Sequence, residues 1–110
     1  MENLHNQLFE IIIDKRTDLG KSHENRTIIR EIVINAVSKI DANTLGQKAK
    51  ELSKEYKTEI RDLVFRLPAY ETDTYLTLFT DCSTDAFESI KRNLEEEFPN
   101  VCSFKQWNLT

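Results

Sequence analysis

The sequence predicts an α+β fold: a helical N-terminal half of three helices, then a β-β-α-β unit forming a small, mainly antiparallel sheet with helices on one face. Three observations predict it. Residues Thr27 to Ile40 carry apolar side chains at helical spacing, Ile28, Ile32, Ala36 and Ile40 in one row and Ile29, Val33 and Val37 beside it. Residues Asp73 to Thr80 alternate as a strand does, Leu76 and Leu78 against Tyr75, Thr77 and Phe79. The 110 residues include only two Gly and two Pro, which favours long regular elements. All 110 residues read as one domain, with no repeat and no linker.

Asn3 to about Arg16 is expected to be the first helix. Leu4, Leu8, Ile11 and Ile12 share one face, with Phe9 and Ile13 widening it. The same residues admit a strand, because Leu8 to Ile13 is rich in β-branched side chains; helix is preferred on spacing. Thr17 to Asn25 is a polar connection, with Gly20 as the stop signal and Ser22 or Asn25 as the cap of the central helix. That helix ends at Asp41-Ala42-Asn43. Thr44-Leu45-Gly46-Gln47 has the capping-box pattern and opens a third helix to about Lys57.

The stretch from Ile60 to Leu67 reads as a strand, with helix continuation as the alternative. Pro68 to Thr72 would then turn the chain into the strand at Asp73–Thr80. Asp85, with Glu88 three residues later, suits the start of another helix, whose buried stripe is Phe87, Ile90, Leu94 and Phe98. Pro99-Asn100 ends it, and Val101 to Trp107 is a last strand with poor alternation. The helix between the last two strands allows a right-handed crossover, so those strands could lie parallel.

Composition narrows function more by exclusion than by motif. The N-terminus lacks a basic start and apolar core, and no apolar run approaches the ~20 residues of a membrane helix, so a cytoplasmic protein is expected. Cys82 and Cys102 are then reduced thiols, expected to be buried and structural. Neither is part of a Cys-x-x-Cys pair, and no metal site or cofactor is expected. Gly20-Lys21-Ser22 has the ending of a phosphate loop, but Lys15 stands where its first glycine is required. No nucleophile has an evident activating base, so the chain does not read as an enzyme. Were it one, Asp81, Cys82 and Asp85 beside a strand end would be the place to look.

The net charge of -4 disfavours nucleic acid as the default partner. The expected function is therefore a non-enzymatic protein-interaction module: a small acidic inhibitor, immunity or antagonist protein, or an adaptor domain, binding another protein or itself. Candidate interface residues are Ile34, which lies outside the apolar rows of the central helix, Trp107 near the C-terminus, and Glu95 and Glu96 on the acidic last helix. Arg26 and Arg30 complete the set. With Lys15, Arg16, Lys21 and His23 they form a basic segment over residues 15–30, which supports the alternative function, binding of nucleic acid, a nucleotide or another anion.

Overall fold

A computed structural model describes residues 7–37, 62–64 and 67–108, together with Gln47. The chain order is β1 (Gln7–Asp14), α1 (His23–Ala36), β2 (Asp62–Val64), β3 (Leu67–Glu71), β4 (Tyr75–Thr80), α2 (Thr84–Glu97) and β5 (Cys102–Asn108). The strands form one sheet in the order β2-β3-β4-β1-β5, every neighbouring pair antiparallel. With β2 set aside, this is the split β-α-β arrangement: strands joined through a helix run parallel, with another strand between them. So β4 and β5 are parallel, as the crossover allows, but β1 separates them.

The three-helix N-terminal half is not what forms. The first described element is a strand, and the segment expected to be the first helix is β1, inside the sheet between β4 and β5. Three consecutive isoleucines carry the reason. β1 is flanked by strands on both sides and Leu8, Phe9, Glu10, Ile11 and Ile13 are all buried, so both of its faces lose water. A strand buried on both faces reads as a continuous apolar run, and such a run contains helical spacings by coincidence. The expected third helix, residues 44–57, lies outside the described residues except for Gln47, which is helical.

Two boundaries also move. The strand expected over Ile60–Leu67 is β2, ending at Val64, and Leu67 to Glu71 forms a strand of its own that includes the residues expected to turn. The turn is Thr72 to Thr74. The Thr72 hydroxyl oxygen accepts from the backbone N–H groups of Thr74 and Tyr75 at 3.2 and 3.0 Å, which closes the link to β4. The central helix ends at Ala36, short of its apolar rows, with Val37 as its C-cap.

Both helices cover one face of the sheet. Ile29, Val33 and Ile34 of α1 and Phe87, Ile90 and Leu94 of α2 share a core with Phe9, Ile11 and Ile13 of β1, Leu76 and Leu78 of β4, and Leu67 and Ala69 of β3. The rings of Phe9 and Phe87 stack at 4.0 Å, tying α2 to the central strand. Ser22 caps α1 by accepting from the Asn25 N–H, and Ser83 caps α2 by accepting from Ala86. Asp85, expected to open the last helix, sits within its first turn, where its charge suits the dipole. Asn100 takes the left-handed conformation (φ 65°) that reverses the chain from α2 into β5, a geometry that Asn tolerates better than most residues.

The opposite face is also buried at its centre: Leu8 and Glu10 of β1 with Thr77 and Phe79 of β4. The phase of α1 differs from that of its apolar rows. Ile28 is exposed and Ile34 buried, so the covered arc is turned by roughly 70° toward Arg26 and Arg30. On that inner side Arg26 donates to loop carbonyls, and Arg30 acts by its charge on Glu71.

Candidate protein-interaction surface

The sheet has two edges, and they differ. β2 brings three residues to one; β5 brings seven to the other. β5 pairs with β1 without a skipped residue, from Gln7 opposite Asn108 to Ile13 opposite Cys102. It contains no proline and no bulge, and its only charged residue is Lys105. Proteins ordinarily blunt an edge with such devices, since unpaired backbone groups are a template for another strand.

The backbone hydrogen bonds show which groups β5 presents. Asp14 N–H donates to the Val101 carbonyl at 2.9 Å, and Lys15 N–H to the Thr74 carbonyl at 2.8 Å. Bonding sides alternate along an antiparallel strand. Ser103, Lys105 and Trp107 therefore turn their N–H and C=O toward β1. Cys102, Phe104, Gln106 and Asn108 turn theirs outward, and no described residue pairs with them. Ser103, Lys105, Gln106 and Asn108 are exposed.

Side chains frame this edge on both faces of the sheet. On the helix face, Phe104 meets Phe87 edge-on at 5.7 Å and the Lys91 ammonium lies over the Phe104 ring at 5.9 Å. Glu88 and Glu95, three and four residues from Lys91, share that flank of α2 and are exposed. On the other face Trp107 donates its indole N–H to the Glu10 carboxylate, and the Lys105 ammonium lies over the indole at 4.2 Å. Of the residues expected to mark an interface, Trp107 and Glu95 thus flank one edge, and Glu96 is exposed on α2.

The other three lie elsewhere. Ile34 is 8% exposed and belongs to the core, so it marks no surface patch. Arg26 donates to the carbonyls of Gly20 and Lys21 at 2.7 and 2.9 Å. Those bonds hold the loop after β1 against the start of α1. Gly20 is required in that loop, because a Cβ there would collide with the Asp14 carbonyl. Arg26 and Arg30 both act on the carboxylate of Glu71 in β3, on the far side of the sheet from β5.

Lys15 and Arg16 of the basic segment are engaged in the same way. Lys15 pairs with Glu71 at 2.5 Å and donates to the Thr72 carbonyl at 2.9 Å. Hydrogen bonding to Lys15, more than the surrounding positive charge, holds the Glu71 carboxyl below its ordinary value. Arg16 grips Asp14 through both carboxylate oxygens, donates to the Tyr75 hydroxyl at 2.9 Å, and stands over that ring at 5.2 Å. The Arg16 hydrogen bonds keep Asp14 below its ordinary range. Lys15, Arg16 and Arg26 of the segment that reads as an anion site in sequence tie together the loop, α1 and the β3–β4 turn, and Lys21 and His23 are exposed.

Burial disfavours the thiolate form at both cysteines. Burial pushes the Cys82 thiol up to about 12, with Asp81 adding to the effect, and burial alone does the same to Cys102. They stand at opposite ends of β1. The Gln7 amide donates to the Cys82 carbonyl at 2.9 Å, whereas Cys102 is opposite Ile13, six residues and ~20 Å along the strand. Among the described residues no group of three potential ligands could hold a metal ion, and no helix is long and apolar enough to cross a membrane.

Sequence reasoning identified β5 as a strand and missed that it is an edge. The signal was its poor alternation: Ser103 and Lys105 on one face and Gln106 and Asn108 on the other leave neither face apolar. No protein-family model matches this chain, and neither does any curated protein sequence or solved structure.

Proposed function

We propose that this chain is a non-enzymatic protein-interaction module that recognises an extended segment by strand addition at β5. One observation carries the reading: a seven-residue edge strand whose outward backbone groups, at Cys102, Phe104, Gln106 and Asn108, have no described partner. Main-chain hydrogen bonds would supply affinity, and Trp107 on one face and the Lys91–Glu95 flank on the other would supply selectivity. The anion-binding alternative draws less support, since Lys15, Arg16 and Arg26 are already committed to internal acceptors.

Selection from a random displayed decapeptide library tests the reading, with the protein immobilised so sparsely that its copies cannot meet. The selected peptides should perturb the amide resonances of Cys102, Phe104, Gln106 and Asn108. They should lose affinity for Gln106→Pro, which removes an outward N–H and leaves the β1 ladder intact. Selection of no peptide, or of peptides that bind Gln106→Pro equally well, sinks the proposal.

A further inference from the structure

Resting on the reading of β5 as a recognition edge, we infer that its occupant is a second copy of this chain, the two β5 strands pairing antiparallel about a two-fold axis at Gln106. An antiparallel edge is complementary to itself, because outward N–H and C=O groups at every second residue meet the same pattern after a half-turn. The two-fold keeps each side chain on its own face of the joined sheet, so helix-side residues oppose helix-side residues.

The charges on β5 select the register. The fullest overlap centres on Lys105 and sets the two Lys105 ammoniums directly opposite each other, which like charge disfavours. A shift that centres on Gln106 places each Lys105 across from Trp107 of the second copy. Lys105 already lies over the indole of its own chain at 4.2 Å, so the shift makes a lysine–tryptophan contact between the copies of the kind the strand makes within itself. Phe104 then stands opposite Asn108, and the Gln106 side chains meet at the axis. Residues 104–108 overlap, enough for three hydrogen-bonded pairs. The outcome is one continuous sheet, ten-stranded in its described part, with all the described helices on one side. The contact area of such a pair is small, so association in the micromolar range is expected.

Sedimentation equilibrium over about 10–500 μM tests this, with circular dichroism as a check on folding. Wild type should be a monomer–dimer equilibrium, and Gln106→Pro should weaken it about tenfold or more while keeping the wild-type spectrum. Should Gln106→Pro fail to fold, a cross-link serves in its place. In a Cys102→Ser background, Gln106→Cys should oxidise to a covalent dimer, its Cα atoms being ~5.5 Å apart across a hydrogen-bonded pair; Asn108→Cys should not. A wild type that stays monomeric throughout overturns the inference, and so does a dimer that survives Gln106→Pro or that cross-links at Asn108 instead of Gln106. A monomer that still binds selected peptides at the β5 amides would overturn the second copy as occupant and leave strand addition standing.

Discussion

Trp107 and Glu10 are joined across β5 and β1, the indole N–H donating to a carboxylate that is 3% exposed on the face of the sheet away from α1 and α2. Glu10 stands between Phe79 on one neighbouring strand and Lys105 on the other. A buried carboxylate that loses a donor bears the desolvation cost without the compensation. Trp107→Phe should therefore lower the unfolding free energy by about 1.5–3 kcal/mol at pH 7, read by urea denaturation with far-ultraviolet circular dichroism. Glu10→Gln keeps an acceptor oxygen and should cost less. A Trp107→Phe loss of the same size in a Glu10→Ala background would show that packing of the indole, and not its N–H, dominates.

A contrast within α1 separates surface from core. Ile34→Ala removes a buried side chain and should cost about 2–5 kcal/mol, whereas Ile28→Ala should stay within about 0.5 kcal/mol because Ile28 is already exposed. Apolar spacing alone would assign the larger loss to Ile28. Thermal or urea unfolding of the two variants decides between the assignments.

That contrast shows how far the sequence could be read. In α2 the pattern and the packing agree: Phe87, Ile90, Leu94 and Phe98 are buried as their spacing predicts, because one flat sheet face covers one stripe. Likewise Leu76 and Leu78 of β4 join the helix-side core while Thr77 and Phe79 are buried on the other face. In α1 the pattern misleads, since Arg26 and Arg30 are on the inner side, Arg26 bonded to loop carbonyls and Arg30 acting by its charge on Glu71, and an arginine placed in that way cannot be told from a solvated one by its letter. β1 misleads for a different reason. Its partners β4 and β5 lie far along the chain, and nothing local to Gln7–Asp14 records that both faces will be covered. With β1 misassigned the strand order could not follow, and without the strand order the edge formed by β5 had no signature beyond its mixed polarity.

The Thr80 hydroxyl is buried with no hydrogen-bond partner among the described residues. Valine has nearly the same shape and carries no polar group. Thr80→Val should raise stability by about 1 kcal/mol, visible as an upward shift of the urea midpoint with an unchanged slope. A destabilised variant would show that the hydroxyl does gain a bond in solution.

The tie between Lys15 and Glu71 gives part of the pH dependence its sign. The folded state lowers the Glu71 pKa, so folding favours the carboxylate form. Its contribution is full above the unfolded value of ~4.3 and is lost as pH falls through the folded one. Because Glu71 is 44% exposed, the contribution is small, about 0.2–1 kcal/mol. Glu71→Gln should be less stable than wild type by that amount at pH 7 and should match it near pH ~3. Asp14, held down by Arg16, acts in the same direction.

The cysteines titrate in the other direction. With both thiols pushed up to about 12 by burial, the folded protein should react with a thiol-specific disulfide reagent at pH ~8 on the order of a thousandfold more slowly than the chain in urea. Folding opposes their ionisation, so stability should fall as pH rises above ~8.5. Rapid labelling of native protein at either position would contradict the burial that sets these values.

The central position of β1 bears on the order in which the chain assembles. Asp14 pairs with Tyr75 and Gln7 with Asn108, so the ladders that hold the strand inside the sheet close loops of about sixty to a hundred residues. During synthesis β1 emerges more than sixty residues before either of the strands that will flank it. Such non-local closure is slow, and until it occurs the Ile11-Ile12-Ile13 run is available to wrong partners. The nascent chain thus depends on β5, about ninety residues further on, to flank β1 on its second side and shield its most apolar strand.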